Sequence, residues 1–154
     1  MYNHIMVPLD GSELAECVLP HVEAISSGCS VVRVTLARII PPFHLHDYAE
    51  EKLPHKERER LENQGKENAG KYLENIAKQL KIKGIQAETV VLAGSTVPEL
   101  VDYTSKNDVG PIVISTHGRS GFSELFLGST ADKLLQSSRV PVLMVRAPRY
   151  PLPT

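Results

Sequence analysis

Short apolar, β-branched runs alternate with longer amphipathic ones along this chain, and that alternation constrains the fold more than any other feature. The apolar runs are "YNHIMVPL" (Tyr2–Leu9), "VVRVTLARII" (Val31–Ile40), "AETVVLA" (Ala87–Ala93), "PIVIS" (Pro111–Ser115) and "PVLMVR" (Pro141–Arg146). Runs of this length and composition mark strands buried on both faces. Strand, helix, strand, repeated, requires right-handed crossovers and therefore parallel pairing. The expected fold is α/β: an open, doubly wound five-stranded parallel sheet with about four helices, forming a single domain over 1–154.

The helical stretches carry their own signals. Ser12 is a candidate N-cap, and Leu14, Val18, Val22 and Ile25 recur at helical spacing behind it. Pro20 lacks a backbone donor and should kink that helix. A second helix is expected from about His55 to Lys83, with Leu61, Ala69, Tyr72, Ile76 and Leu80 on its inner side and Gly84 as its stop. Its first half alternates Lys and Arg with Glu, a pattern of a solvated face. Ser95 or Thr96 caps a third helix through Asn107, with Pro98 in its first turn and Leu100, Val101 and Tyr103 inward. A fourth follows "GST" and carries Ala131, Leu134 and Leu135. The segment 41–54 and the tail 147–154 read as irregular and mobile.

A formal net charge of -1 over 154 residues supplies no electrostatic reason to expect nucleic acid as partner. Cys17 and Cys29 sit in neither metal nor redox spacing, which fits a reducing compartment. The first residues run directly into a strand, and no segment reaches transmembrane length, so a cytoplasmic protein without membrane partners is expected.

Chemistry concentrates in "STHGRSGFSELFLGST" (Ser115–Thr130), which leaves the carboxyl end of the fourth strand and opens the fourth helix. In an open parallel sheet that is where ligands bind. Glycines admit phosphate oxygens close to backbone amides, and a helix N-terminus favours negative charge. Ser129 and Thr130 add hydroxyl donors and Arg119 a cation, so the loop reads as a phosphate cradle. Arg119 fits a phosphate clamp and a solvated charge equally. The stretch lacks the lysine of a Walker A loop, since Gly128 is followed by Ser129 and Thr130. The first βα turn, "PLDGSE", lacks a dinucleotide fingerprint, and Phe122 stands where a hydrolase elbow requires glycine. His117 has no nucleophile or orienting carboxylate assigned beside it and reads as a loop histidine satisfied by backbone, with a phosphate contact as the alternative. Gly121 reads as a turn residue. His44, His46 and Asp47 in a proline-rich loop make no metal site.

These residues resemble the universal stress protein family, whose loop is G-x-x-G, nine residues, then G-S/T. Gly118, nine residues, Gly128 and Ser129 match, and Ser115 occupies the place of the first glycine. "IMVPLDGSE", "IVISTHGRSG" and "VPVLMVR" are similar to the family's first, fourth and last strands, so the likeness spans nearly the whole chain. It implies an adenine nucleotide alpha hydrolase-like sheet of order 3-2-1-4-5. It further implies ATP or AMP beside the first and fourth strands and a homodimer formed through Val140 to Arg146; Mg²⁺ can come with ATP, bound through the phosphates. By the same likeness Pro8 and Asp10 hold the adenosine moiety and Ile39 lies near the base. Ile114 and Ser115 line base and ribose. Gly118, Arg119 and Ser120, with Gly128, Ser129 and Thr130, contact the phosphates, and His117 adjoins them. Ser115 narrows the approach to the ribose while offering it a hydroxyl. The implied function is an adenine-nucleotide-binding regulator of the stress response. The alternatives are a slow ATPase or phosphotransferase, for which the loop supplies positioning without evident activation of water, and a nucleotide-free interaction module.

Overall fold

The structure, a computed structural model, describes residues 2–41, 54–117 and 129–147. Along the chain lie β1 (His4–Pro8), α1 (Glu13–Glu16), α2 (Leu19–Gly28), β2 (Arg33–Ile40), α3 (His55–Ile82), β3 (Ala87–Ala93), α4 (Thr96–Lys106), β4 (Ile112–Ser115), α5 (Ser129–Ser137) and β5 (Val142–Val145). The strands form one sheet in the order β3-β2-β1-β4-β5, every pair parallel. This is the expected doubly wound architecture. The winding reverses at β1, which pairs with β2 from His4↔Arg33 to Pro8↔Ala37 but with β4 only around Met6↔Ile112.

Alternation along β1 builds two cores. Ile5, Val7 and Leu9 face one side and pack with Val18, Val22, Leu73 and Leu80, whereas Met6 faces the other and packs with Ala37, Leu100, Ile112 and Leu134. The central strands β1 and β4 are buried throughout, as double coverage demands. β3 and β5 depart from the expectation: Glu88, Thr89 and Leu143 are exposed because both strands are sheet edges.

The first helix departs too. The chain breaks at Cys17–Val18 and restarts as α2 with Pro20 inside its first turn, where the missing N–H has no helical partner to lose. Among the described residues five helical segments result. In α3 the buried positions are Ala69, Leu73, Ile76 and Leu80; Leu73 replaces Leu61, which is half-buried. Leu135 of α5 is 47% exposed, so Ala131 and Leu134 alone form that helix's buried face. Among the described residues no helix is long and apolar enough to cross a membrane.

Candidate functional site

Where β1 and β4 separate, their carboxyl ends open into a cleft of about 270 Å³, just below the roughly 300–1,000 Å³ usual for small-molecule sites. Its walls come from five segments distant in sequence. β1 and its turn supply Pro8, Leu9 and Asp10, and α1 supplies Ala15. Ile39 comes from the end of β2 and Thr96 from the first residue of α4. β4 and its continuation supply Ile114, Ser115, Thr116 and His117, and α5 supplies Ser129, Thr130 and Ala131. Eight positions singled out from sequence therefore meet around one cavity: Pro8, Asp10, Ile39, Ile114, Ser115, His117, Ser129 and Thr130. Gly118, Arg119, Ser120 and Gly128 lie outside the described residues, as do His44, His46 and Asp47.

Asp10 does two things in the turn after β1. Its Oδ1 accepts from the Ser12 backbone N–H at 2.9 Å and from the Ser12 hydroxyl at 2.6 Å. The Ser12 oxygen in turn accepts from the Ala15 N–H at 3.1 Å, which caps α1. The carboxylate is thus an Asx-type turn residue and a wall of the cleft at once. Gly11 follows at φ +84°, a left-handed conformation, and the Arg38 guanidinium occupies the space a Cβ would take. Arg38 also lies over the Tyr72 ring, 5.5 Å from its centroid, and the Tyr72 hydroxyl donates to Glu16 Oε1 at 2.8 Å. Burial, followed by the Glu16 carboxylate, pushes the Tyr72 phenol well above its ordinary value.

On the β4 side, Ser115 spends its hydroxyl locally. Its Oγ donates to the His117 carbonyl at 2.8 Å and accepts from the Cys17 thiol at 3.5 Å and the His117 N–H at 3.4 Å. The side chain that departs from the family's glycine therefore closes a tight turn at the entrance to the glycine loop. Thr116 behind it is buried; its Oγ1 lies 3.0 Å from His117 Nδ1 and accepts from the Ala147 N–H at 3.3 Å.

Two helix N-termini reach the cleft, those of α4 and α5, with hydroxyls at Thr96, Ser129 and Thr130. Free amides and the helix dipole at such ends suit an anion. In the sequence Thr96 stands out only as a candidate cap. The signal was present in its place: it follows β3 by three residues, and the carboxyl ends of all parallel strands lie on one edge. Thr116 carried no such signal, since its partners Ala147 and Val145 come from the far end of the chain.

The fold is a doubly wound α/β sheet with a hydroxyl-lined cleft at its switch point, faced by two helix N-termini, which is the position where open parallel sheets of this class carry their ligand sites. The Universal stress protein family model matches residues 1–146, and the chain belongs to that family. It is similar to the universal stress protein YxiE of Bacillus subtilis, 29% identical over 150 residues covering 95% of this chain and 100% of the relative. It is 30% identical over 156 residues to the universal stress protein MJ0577 of Methanocaldococcus jannaschii, covering 95% and 96% of the two chains. The solved structure of MJ0577 superposes with a TM-score of 0.82 over 97% of this chain and 99% of that one. An Arabidopsis thaliana universal stress family protein, solved with AMP bound, shares the fold at 14% identity with a TM-score of 0.62, over 99% and 96%.

Proposed function

We propose that the protein is an adenine-nucleotide-binding regulator of the stress response, holding ATP or AMP in the cleft between β1, β4 and the start of α5. Binding and the conformational bias it imposes are its output, rather than turnover. The observation that carries this reading is the convergence of Asp10, Ile114, Ser129 and Thr130 on one cavity, with an α5 N-terminus at its polar end. Pro8, Ile39 and Ile114 offer the apolar surface a base requires, and Asp10 offers an acceptor for ribose or base donors. The hydroxyls of Ser129 and Thr130, with the amides of the first turn, suit phosphate oxygens, and Gly118, Arg119, Ser120 and Gly128 complete that cradle in the reading. His117 adjoins it. Mg²⁺ arrives with ATP on the phosphates. The AMP bound to the Arabidopsis relative supports the ligand class. The working form is a homodimer joined through the last strand, Val140 to Arg146, in the cytoplasm.

One observation favours the nucleotide-free interaction module: the Ser115 hydroxyl is already engaged by His117 rather than held ready for a sugar. A thermal-shift titration with ATP, AMP and GTP, with and without Mg²⁺, separates the two. A ligand specific for the native state stabilises it by about 2.7 kcal/mol at a hundredfold excess over its dissociation constant. The adenine nucleotides are expected to raise the midpoint. Thr130→Glu is expected to abolish the shift without unfolding the protein, because its charge repels phosphate yet suits a helix first turn. A wild-type protein unmoved by millimolar ATP and AMP would overturn the nucleotide reading in favour of the interaction module.

A further inference from the structure

Thr116 connects the end of β5 to the wall of the cleft. Its backbone N–H donates to the Val145 carbonyl at 2.9 Å, and the Ala147 N–H donates to its Oγ1 at 3.3 Å. The same Oγ1 stands 3.0 Å from Nδ1 of His117, a half-buried residue lining the cleft. An amide nitrogen only donates, so the Thr116 oxygen accepts from Ala147. Among the described residues, the acceptor within reach of the Thr116 hydroxyl proton is then His117 Nδ1. The threonine is 7% exposed, and a buried hydroxyl proton left without an acceptor is costly. Both groups are satisfied when Thr116 donates to Nδ1, and a neutral imidazole that accepts on Nδ1 carries its proton on Nε2.

From these contacts we propose that Thr116 is a positioning residue that holds His117 in the Nε2–H tautomer, so that the ring meets a ligand phosphate as a hydrogen-bond donor. The opposite tautomer would present the Nε2 lone pair, which repels phosphate oxygens. The ligand in this inference rests on the nucleotide reading above; the tautomer does not.

The test uses the full chain labelled with ¹⁵N, with long-range proton–nitrogen spectra of the histidine rings recorded at about pH 8. His117→Gln assigns the resonances. Wild type and Thr116→Ser are expected to show a protonated Nε2 and an accepting Nδ1, and Thr116→Val a mixture of tautomers. Calorimetric titration with ATP should follow the spectra: Thr116→Val binds about fivefold more weakly, the effect of one hydrogen bond, and Thr116→Ser binds like wild type. An unchanged tautomer in Thr116→Val, or a lost one in Thr116→Ser, overturns the positioning role. A lost tautomer with unchanged ATP affinity overturns the donor role toward phosphate. If wild type binds no adenine nucleotide, the nucleotide reading and the phosphate partner fall together, while the ring spectra still decide whether Thr116 positions His117.

Discussion

His4 Nε2 donates to Thr35 Oγ1 at 2.7 Å, and that hydroxyl donates onward to Glu88 Oε1 at 2.7 Å, a directed chain across three neighbouring strands. Arg33 closes it, reaching His4 Nδ1 at 2.9 Å from one side and standing 3.7 Å from Glu88 on the other. The cluster sits at the amino end of the sheet, away from the cleft.

This arrangement needs a neutral imidazole, because Nδ1 receives the Arg33 donor. Burial, then the Arg33 charge, lower the His4 pKa below its ordinary 6.5, against smaller opposing effects from the Asn107 and Asp108 backbone and Glu88. The unfolded chain therefore binds the proton more tightly than the folded one. The stability contributed is complete above about pH 6.5 and is lost as pH falls from there toward the lowered folded-state value. His4→Gln should flatten the difference in unfolding free energy between about pH 8 and pH 5, by no more than about 1.4 kcal/mol per pH unit, the limit for one proton. Urea titrations of both proteins across that range give the comparison; parallel curves would refute it.

Gly11→Ala should lower stability by roughly 1–3 kcal/mol, the usual cost of holding a side chain in an unfavoured backbone region. Gly11 has φ +84°, and the added Cβ must displace the Arg38 guanidinium. A shift in the urea midpoint at constant slope measures the loss. Gly65→Ala, in the exposed half of α3 with open space around its Cβ, is the contrasting control and should be neutral or stabilising.

Leu73→Ala should cost about 2–5 kcal/mol, since Leu73 is fully buried between α3 and the sheet. Leu61→Ala, on the solvated half of the same helix, should cost about 1 kcal/mol or less. Equal losses would mean that the amino-terminal half of α3 packs as tightly as its carboxyl half.

β5 pairs with β4 on one side and is an edge of the sheet on the other, with Leu143 41% exposed. An apolar edge strand invites pairing with a second copy. Light scattering at tens of micromolar should report a dimer for wild type and a monomer for Leu143→Lys. A monomeric wild type would remove the proposed assembly.

Much of this organisation was legible locally. The five apolar runs became the five strands, with Ala87–Ala93 bounded as read and the others trimmed by one or two residues at their ends. Gly84 ends α3 at φ +80°, as a C-terminal stop requires. Pro20 marked the disturbance between α1 and α2, although a first-turn proline satisfies a helix restart better than a kink. Misplaced residues have a common cause. Leu61 and Leu135 have the right period, but a period says which residues share a face and not how far the sheet extends beneath them.

What the sequence determined by itself was therefore the identity of the elements, the sign of their pairing and the glycine loop with its hydroxyls, because composition, periodicity and turn chemistry act over a few residues. Tertiary structure alone decided the cleft. Placing β1 between β2 and β4 brings Asp10, Ile39 and Ile114 to one edge, with the α4 and α5 N-termini above them. It also decided that His4 faces Thr35 and Glu88, and that Thr116 meets Ala147. These contacts join residues 31 or more apart in the chain, so they exist only once strand order and register bring their backbones side by side.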